Sequence, residues 1–260
     1  MILEVNHVSR TFGGLKALND VTFDLAEGEI LGLIGPNGAG KTTVFNLLTG
    51  VYRPDAGVVR VGGVAMTGKK PSDIAAAGMV RTFQNIRLFG ELSVLDNVRT
   101  AAGLRARSGL WRSLLRTPLH QAEERCIRAR SLELLEVLGI AHRADEQAKS
   151  LPYGDQRRLE IARALATEPT VLLLDEPVAG MNTSEKHAMR TLIQQLRDDF
   201  GLAILLIEHD MGLVMEICEH ITVLDHGEVI AAGAPAAIQE DPAVIAAYLG
   251  LADDAAEVAS

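Results

Sequence analysis

Residues 30–48 read ILGLIGPNGAGKTTVFNLL, and this stretch decides the fold. It opens with an apolar run typical of a buried strand and ends with the apolar spacing of a helix. Between them, residues 35–42 fit the pattern GxxxxGK followed by Ser or Thr, whose glycines let backbone N–H groups turn inward toward phosphate oxygens. Lys41 adds a point charge at the phosphates and Thr42 a hydroxyl for Mg²⁺. The strand-loop-helix context predicts a nucleotide phosphate site rather than an ordinary glycine-rich turn.

A second apolar run, residues 171–176 (VLLLDE), carries two adjacent acids at its end. In open parallel sheets, ligands lie beyond the carboxyl ends of the strands. Asp175 can orient Mg²⁺ through its water shell, and Glu176 can polarise an attacking water. Taken alone, the two acids would equally suit the N-cap of the next helix. Together with Lys41 they favour a site of phosphoryl chemistry.

Beyond residue 150, helical periodicity alternates with short apolar runs such as LAILLI at 202–207. This alternation predicts an α/β fold with a parallel sheet covered on both faces. A hairpin pair at 220–233 and a closing helix at 235–250 follow. Nearer the N-terminus, short strand-like runs punctuated by glycines predict a mixed, partly antiparallel sheet, and Leu15 to Leu18 is too short to be a helix.

The leucine spacing between residues 93 and 138 predicts helices that end at Gly139. Within this helical region, the segment between Asp96 and Glu123 contains five arginines and no acidic residue. We favour a solvated helix surface over an interaction or membrane-surface patch. The five residues are Arg99, Arg105, Arg107, Arg112 and Arg116.

Charge is distributed unevenly along the 260 residues. The chain has 34 acidic and 25 basic side chains, and no Lys or Arg follows Arg197. An acidic total makes nonspecific nucleic-acid binding unfavourable, because phosphate neutralisation needs clustered cations. The widely spaced Cys126 and Cys218 suit neither a disulfide framework nor a structural zinc site, and we expect both to be buried apolar fillers. With short apolar runs and no secretory pattern at the start, the sequence predicts a soluble, intracellular chain.

Residues 151–165 read LPYGDQRRLEIARAL and end 10 residues before Asp175. In this order, the motifs resemble the nucleotide-binding subunit of an ABC transporter, whose LSGGQ signature precedes the acidic strand. The resemblance extends from about residue 3 to residue 250. It implies a P-loop NTPase (RecA-like) parallel core with an N-terminal antiparallel β subdomain and a helical subdomain inserted at about 90–165. Residues 251–260 would form an acidic, flexible tail.

The resemblance also implies site residues. Phe12 would stack on adenine, Gln84 would lie near Mg²⁺ and sense the membrane subunits, and His209 would contact the γ-phosphate and hold the attacking water. Taken singly, Phe12 could equally be a core aromatic, Gln84 a polar residue of a strand and His209 a histidine at a strand end. The implied ATP contacts are Phe12, Gly35, Asn37, Gly38, Gly40, Lys41, Thr42 and Thr43, the catalytic residues are Glu176, His209 and Gln84, and the Mg²⁺ residues are Thr42, Gln84 and Asp175.

The resemblance implies partners as well. Two ATPase subunits would form a head-to-tail dimer in which Gly154 contacts the ATP of the other subunit. This chain has Pro152 where the family usually has serine, and Asn182 where it commonly has aspartate. The missing hydroxyl suggests that the second ATPase is a different chain with an intact signature. Two transmembrane permeases and, indirectly, a periplasmic solute-binding protein would complete the assembly at the cytoplasmic face of the inner membrane.

The segments TFQNIRLFGELSVLDNV and IEHDMGLVMEICEHITVLDHGEVIAAG are similar to branched-chain amino acid import ATPases of the LivG type. Urea or amide importers and lipopolysaccharide exporters share much of this pattern, so they remain alternatives. ABC ATPases of DNA repair or translation are a different class. Those normally carry paired cassettes, zinc modules or long coiled coils, none of which the sequence between Lys41 and Gly154 suggests.

Overall fold

The structure, a computed structural model, describes residues 1–84, 86–103 and 118–248. The chain divides into two compact units. The first unit joins residues 1–81 to the segment that begins at Thr170, and the second comprises residues 82–169. In chain order the strands are β1 (Leu3–Phe12), β2 (Leu15–Leu25), β3 (Ile30–Ile34), β4 (Ala56–Val61), β5 (Val64–Ala65), β6 (Met79–Arg81), β7 (Val171–Asp175), β8 (Ala203–Ile207), β9 (His220–Asp225) and β10 (Glu228–Gly233).

Both units contain helices. The first unit holds α1, α2, α6, α7 and α8, and the second holds α3, α4 and α5. Their bounds are α1 (Lys41–Leu48), α2 (Pro71–Ala76), α3 (Val94–Ala102), α4 (Pro118–Val137), α5 (Tyr153–Leu165), α6 (Thr183–Phe200), α7 (Met211–Ile217) and α8 (Pro235–Glu240).

Two sheets form the first unit. The N-terminal sheet is antiparallel, with strand order β2-β1-β4-β5. The second sheet has the order β10-β9-β3-β8-β7-β6, in which β10 alone pairs in the antiparallel sense. Every residue of β3, β7 and β8 is buried, which is why these strands read as continuous apolar runs. The α/β fold class with an antiparallel β subdomain is confirmed.

Strand order brings the functional segments together. Strands β3, β8 and β7 are adjacent and parallel, so their carboxyl ends meet at one edge of the sheet. The phosphate loop follows β3, Glu176 follows β7, and the segment containing His209 follows β8. One edge therefore collects residues from three distant parts of the chain.

The second unit is helical over its described residues. Helix α3 begins at the N-cap Ser93, whose hydroxyl accepts from the N–H of Asp96, and it packs against α4 and α5. Helix α4 ends before Gly139, whose φ of 72° suits the left-handed turn that closes a helix. The predicted basic insertion lies largely at residues 104–117, outside the described residues. Arg99, inside them, pairs with Asp96 and Glu124.

Leu15 to Leu18 is not a helix, as expected, and belongs to β2. Two other local expectations were wrong. Cys126 is exposed on α4, whereas Cys218 is buried as expected. The closing helix is interrupted, because α8 ends at Glu240 and residues 242–248 form a further helical segment. Asp241 is extended between them, as expected of a residue before proline, and its carboxylate caps the second segment at the N–H of Ala243 (2.8 Å).

Within the ranges that the structure describes, none of the helices combines the length and the apolar character needed to cross a membrane.

Candidate nucleotide site

The phosphate loop is shaped by glycines at positions where a side chain cannot fit. Gly35 and Gly40 have φ of 147° and 105°. A Cβ on Gly35 would lie 2.0 Å from the carbonyl oxygen of Leu224, and one on Gly40 would lie 2.8 Å from Leu18 Cδ2. Sterics and backbone angle thus both require glycine, and the chain can turn sharply from β3 into α1.

Lys41 is the first residue of α1 and is buried. Its ammonium donates to the carbonyl oxygens of Gly35 (2.6 Å) and Pro36 (2.8 Å), so it lies within the loop. Burial lowers the pKa of Lys41 below its ordinary value, and the carboxylates of Glu176 and Asp175 oppose that effect. The loop therefore combines a buried amine with the N–H groups of a helix N-terminus, an arrangement suited to an anion. Asn37, Gly38 and Thr42 are exposed, and Thr43 is half-buried.

Asp175, at the end of β7, forms a buried ion pair that the sequence did not predict. Arg81 Nη2 lies 2.5 Å from Asp175 Oδ2, and the two side chains are 6% and 5% exposed. Arg81 Nη1 donates to Asn46 Oδ1 (2.7 Å), and the guanidinium lies 5.2 Å from the Phe45 ring centre. One arginine of β6 therefore links the acid of β7 to α1. The sequence feature that could have indicated this ion pair was the arginine at the end of the short apolar run GMVR.

Glu176 and His209 lie together, as the resemblance implied. His209 Nε2 is 2.6 Å from Glu176 Oε1, although the two residues follow different strands. Glu176 has a φ of 49°, in the left-handed region that a non-glycine residue seldom adopts. Its N–H donates to the carbonyl oxygen of Ile207 (2.9 Å), which fixes this turn against the end of β8.

Glu208 is a second buried acid at this edge that sequence reasoning missed. Its Oε1 accepts from the N–H of Val178 (2.9 Å), and its Oε2 accepts from the N–H of His209 (3.1 Å). Burial raises the pKa of Glu208, and the negative charge of Glu176 adds to that rise. The sequence IEHD marked only the histidine.

Phe12 ends β1 and is not a core aromatic, since it is 36% exposed. Its ring meets Tyr52 edge to face at 5.1 Å between centres, and the guanidinium of Arg10 lies 4.7 Å from its centre. Asp55 holds that guanidinium at 2.7 Å. The Phe12 ring is therefore both accessible and fixed in place, which suits stacking.

Gln84 and Gly154 belong to the second unit. Gln84 is exposed, and its carbonyl accepts from the guanidinium of Arg157, which also donates to the Phe83 carbonyl at 2.5 Å. Gly154 lies in the first turn of α5, whose N-cap is Pro152 and makes no side-chain capping bond. Tyr153, beside it, is 44% exposed. The second unit thus presents an open helix N-terminus at the predicted signature.

Comparison with known families decides the identity. A family model described as ABC transporter matches residues 18–179, which include the phosphate loop, the predicted signature and the adjacent acids Asp175 and Glu176. The chain belongs to the ABC transporter family. It is the ATP-binding cassette of a transporter, and its activity is ATP hydrolysis coupled to transport.

Curated relatives of this cassette match along nearly its whole length. The LivG protein of Salmonella typhimurium, a high-affinity branched-chain amino acid transport ATP-binding protein, is 47% identical over 249 residues, covering 96% of this chain and 98% of the relative. The BraF protein of Pseudomonas aeruginosa, named for the same transport, is 44% identical with the same coverage. A second family model, the branched-chain amino acid ATP-binding cassette transporter, matches residues 228–254.

Solved cassettes share the fold. The ADP conformation of MJ1267, an ATP-binding cassette of an ABC transporter, superimposes with a TM-score of 0.83 at 31% identity and covers 96% of this chain. The match covers 98% of that protein. A nucleotide-free cassette gives 0.81 at 30% identity, covering 95% of this chain and 98% of that one.

The structure explains why asparagine can stand at position 182, where the family commonly has aspartate. Asn182 is the N-cap of α6, and its side chain accepts from the N–H of Glu185 (3.0 Å). In turn, the Glu185 carboxylate accepts from the N–H of Asn182 (2.9 Å), which completes a capping box. Asparagine and aspartate are equally good N-caps, so this substitution preserves the helix start.

Proposed function

We propose that this cassette powers the import of branched-chain or related amino acids through membrane partner subunits. Identities of 44–47% to branched-chain amino acid transport proteins support the proposal. General ABC similarity would not suffice, because a sulfate/thiosulfate import protein is also 32% identical over 253 residues. The observation that carries the proposal is the branched-chain family match over residues 228–254, outside residues 18–179 that the general ABC transporter model matches.

ATP binds at the loop between β3 and α1. Lys41 exchanges its bonds to the Gly35 and Pro36 carbonyls for phosphate oxygens, and the helix N-terminus adds oriented N–H groups. Phe12 stacks on adenine from its fixed position at the end of β1. The residues assigned to ATP are Phe12, Gly35, Asn37, Gly38, Gly40, Lys41, Thr42 and Thr43.

The residues of the first unit fit Mg²⁺ as the companion of ATP. Mg²⁺ keeps several waters and takes one or two protein oxygens together with phosphate oxygens. Thr42 offers a hydroxyl and Asp175 a carboxylate held by Arg81, and the described residues contain no cage of three or more His, Cys, Asp or Glu that would suit another metal. When bound, the ion neutralises charge on the phosphates. Gln84 of the second unit is assigned to the same ion.

Glu176 is the base that polarises the attacking water. Its left-handed backbone costs on the order of 1 kcal/mol or more, a strain that clusters at functional sites. His209 holds the carboxylate through the 2.6 Å contact and reaches the γ-phosphate from the same edge of the sheet. Because phosphoryl transfer depends mainly on positioning and electrostatics, this pair needs a fixed geometry.

A second ATPase subunit completes the site. Gly154 and the N-terminus of α5 contact the ATP bound by that partner, so the dimer is head-to-tail and linked to the ligand. Pro152 provides no hydroxyl at this helix start. We infer that the partner is a different chain, which supplies an intact signature to the ATP held by Lys41.

The membrane partners are two transmembrane permeases, and a periplasmic solute-binding protein delivers the solute to them. The cassette is peripheral, at the cytoplasmic face of the inner membrane, and the segment around Gln84 lies against the permeases. Nucleic acid is not a partner, consistent with 34 acidic against 25 basic residues.

Uptake of radiolabelled leucine by a strain that lacks this chain tests the proposal. We expect uptake to be lost, restored by the native chain, and not restored by Glu176→Gln, which should still bind ATP. Retained leucine uptake with loss of urea uptake, a lipopolysaccharide defect or a DNA-repair defect would each reject the amino acid assignment. Wild-type turnover by Glu176→Gln would reject the assigned base.

A further inference from the structure

Glu208 joins two segments of the first unit. It follows β8 directly, and its side chain is buried even though glutamate is an ionisable residue. One carboxylate oxygen accepts from the N–H of Val178, 30 residues earlier in the chain, at 2.9 Å. The other accepts from the N–H of His209 at 3.1 Å and lies 3.5 Å from the N–H of Asp210.

These segments are the ones that carry the catalytic pair. Val178 lies two residues after Glu176, and His209 immediately follows Glu208. The side chains of Glu176 and His209 meet at 2.6 Å, and the Glu208 carboxylate joins the backbone at Val178 to the backbone at His209. The Glu176 turn has a left-handed φ of 49°, which persists only when surrounding contacts hold it.

A carboxylate at this position is unfavourable except for such a purpose. Burial and the nearby charge of Glu176 both raise its pKa, so the site opposes the charged form. An apolar side chain would pack into a buried position at lower cost. A carboxylate, however, offers two oxygens, so Glu208 can accept an N–H group from each segment at once.

We propose that Glu208 is a positioning residue for ATP hydrolysis, which holds the Glu176 turn and the His209 segment in register. This role rests on the proposed function of Glu176 and His209. In this role Glu208 contacts neither ATP nor the attacking water. It acts through the backbones of the two residues that do.

Glu208→Gln in the purified complex, with its permease and ATPase partners, tests the role. The glutamine keeps the size but turns one acceptor into a donor that opposes one of the two N–H groups. We expect kcat to fall about 10- to 100-fold, the cost of misplacing a catalytic group by about 1 Å, while KM for ATP stays near wild type and the protein remains folded at the assay temperature. Glu208→Asp, one methylene shorter, should also lower kcat at unchanged KM, which keeps the test valid if the glutamine variant does not fold.

Glu219→Gln is a control for the loss of a carboxylate that accepts a backbone N–H, although Glu219 is more exposed than Glu208 and pairs with Arg197. Glu219 also accepts a backbone N–H, from Ile30 at 2.6 Å, but at the opposite end of β3 from the phosphate loop. Its kcat should stay at the wild-type value. Wild-type kcat in either Glu208 variant that folds would overturn the proposal. A fall in kcat that is explained by partial unfolding at the assay temperature, with an equal loss of ATP affinity, would overturn it too. Glu176→Gln, measured in parallel, separates the two proposals, because its normal turnover would reject the base while leaving the Glu208 measurements to be judged by themselves.

Discussion

Replacing Arg81 with methionine should destabilise the first unit more than replacing any exposed arginine. The guanidinium and the Asp175 carboxylate are 6% and 5% exposed and lie 2.5 Å apart. Methionine keeps the apolar stem but leaves the carboxylate without this cation. Removing one partner of a buried ion pair costs about 3–5 kcal/mol, because the remaining charge stays out of water.

The structure places the expected loss at the lower end of that range. Asp175 also interacts with the charge of Lys41, which offsets part of the missing guanidinium. The lost bond to Asn46 adds about 1 kcal/mol or less. A total of about 3 kcal/mol corresponds to a decrease in Tm of about 6–12 °C for a protein of this size.

Thermal and urea unfolding of the nucleotide-free chain measure this loss. Arg10→Met is the matched control, because Arg10 pairs with Asp55 at 2.7 Å while the two side chains are 27% and 46% exposed. An exposed pair contributes about 1 kcal/mol or less, so this control should shift Tm by only a few degrees. Equal shifts for Arg81→Met and Arg10→Met would refute the reasoning that burial makes the Arg81 pair essential.

Two further predictions concern a helix start and the thiols. Asn182→Ala should lower the unfolding free energy by about 1 kcal/mol in urea titrations, whereas Asn182→Asp should leave it within a few tenths, because only alanine removes the capping box. An equal loss in both variants would contradict the capping role. Ellman's reagent should modify one thiol, the exposed Cys126, in the folded chain, since burial raises the pKa of Cys218 to about 12. A second equivalent should react only after denaturation, and two equivalents beforehand would refute the burial of Cys218.

Much of the fold could be predicted because its core strands are continuous apolar runs. The segments before residue 35 and around residues 171–176 and 202–207 became β3, β7 and β8, and the acids and glycines at their ends marked the chemistry. Strand type is encoded locally in such runs, since both faces are buried. The same locality explains why the sequence could predict that Lys41, Asp175 and Glu176 lie close together.

Local reasoning failed where a neighbour decides the outcome. For Leu15 to Leu18 the sequence excluded a helix but assigned no structure, because the segment is a strand through its pairing with β1 across the Gly13-Gly14 turn. The closing helix has continuous apolar spacing across Asp241, yet Pro242 forces the preceding residue out of the helical region. Cys126 faces outward because it falls on the exposed part of α4, which periodicity alone did not distinguish.

Sequence motifs also gave no indication of Arg81 and Glu208, the two buried charged residues that hold the catalytic edge, for a related reason. Arg81 reaches Asp175 only because β6 pairs with β7, and Glu208 reaches Val178 only because β7 pairs with β8. Neither partner is near in sequence, since 94 and 30 positions separate them. A motif records the residues that touch the nucleotide, whereas strand order determines which buried charges can hold them. The positions of Asp175 and Glu176 therefore depend on two side chains, Arg81 and Glu208, whose function becomes readable only once the order β8-β7-β6 is known.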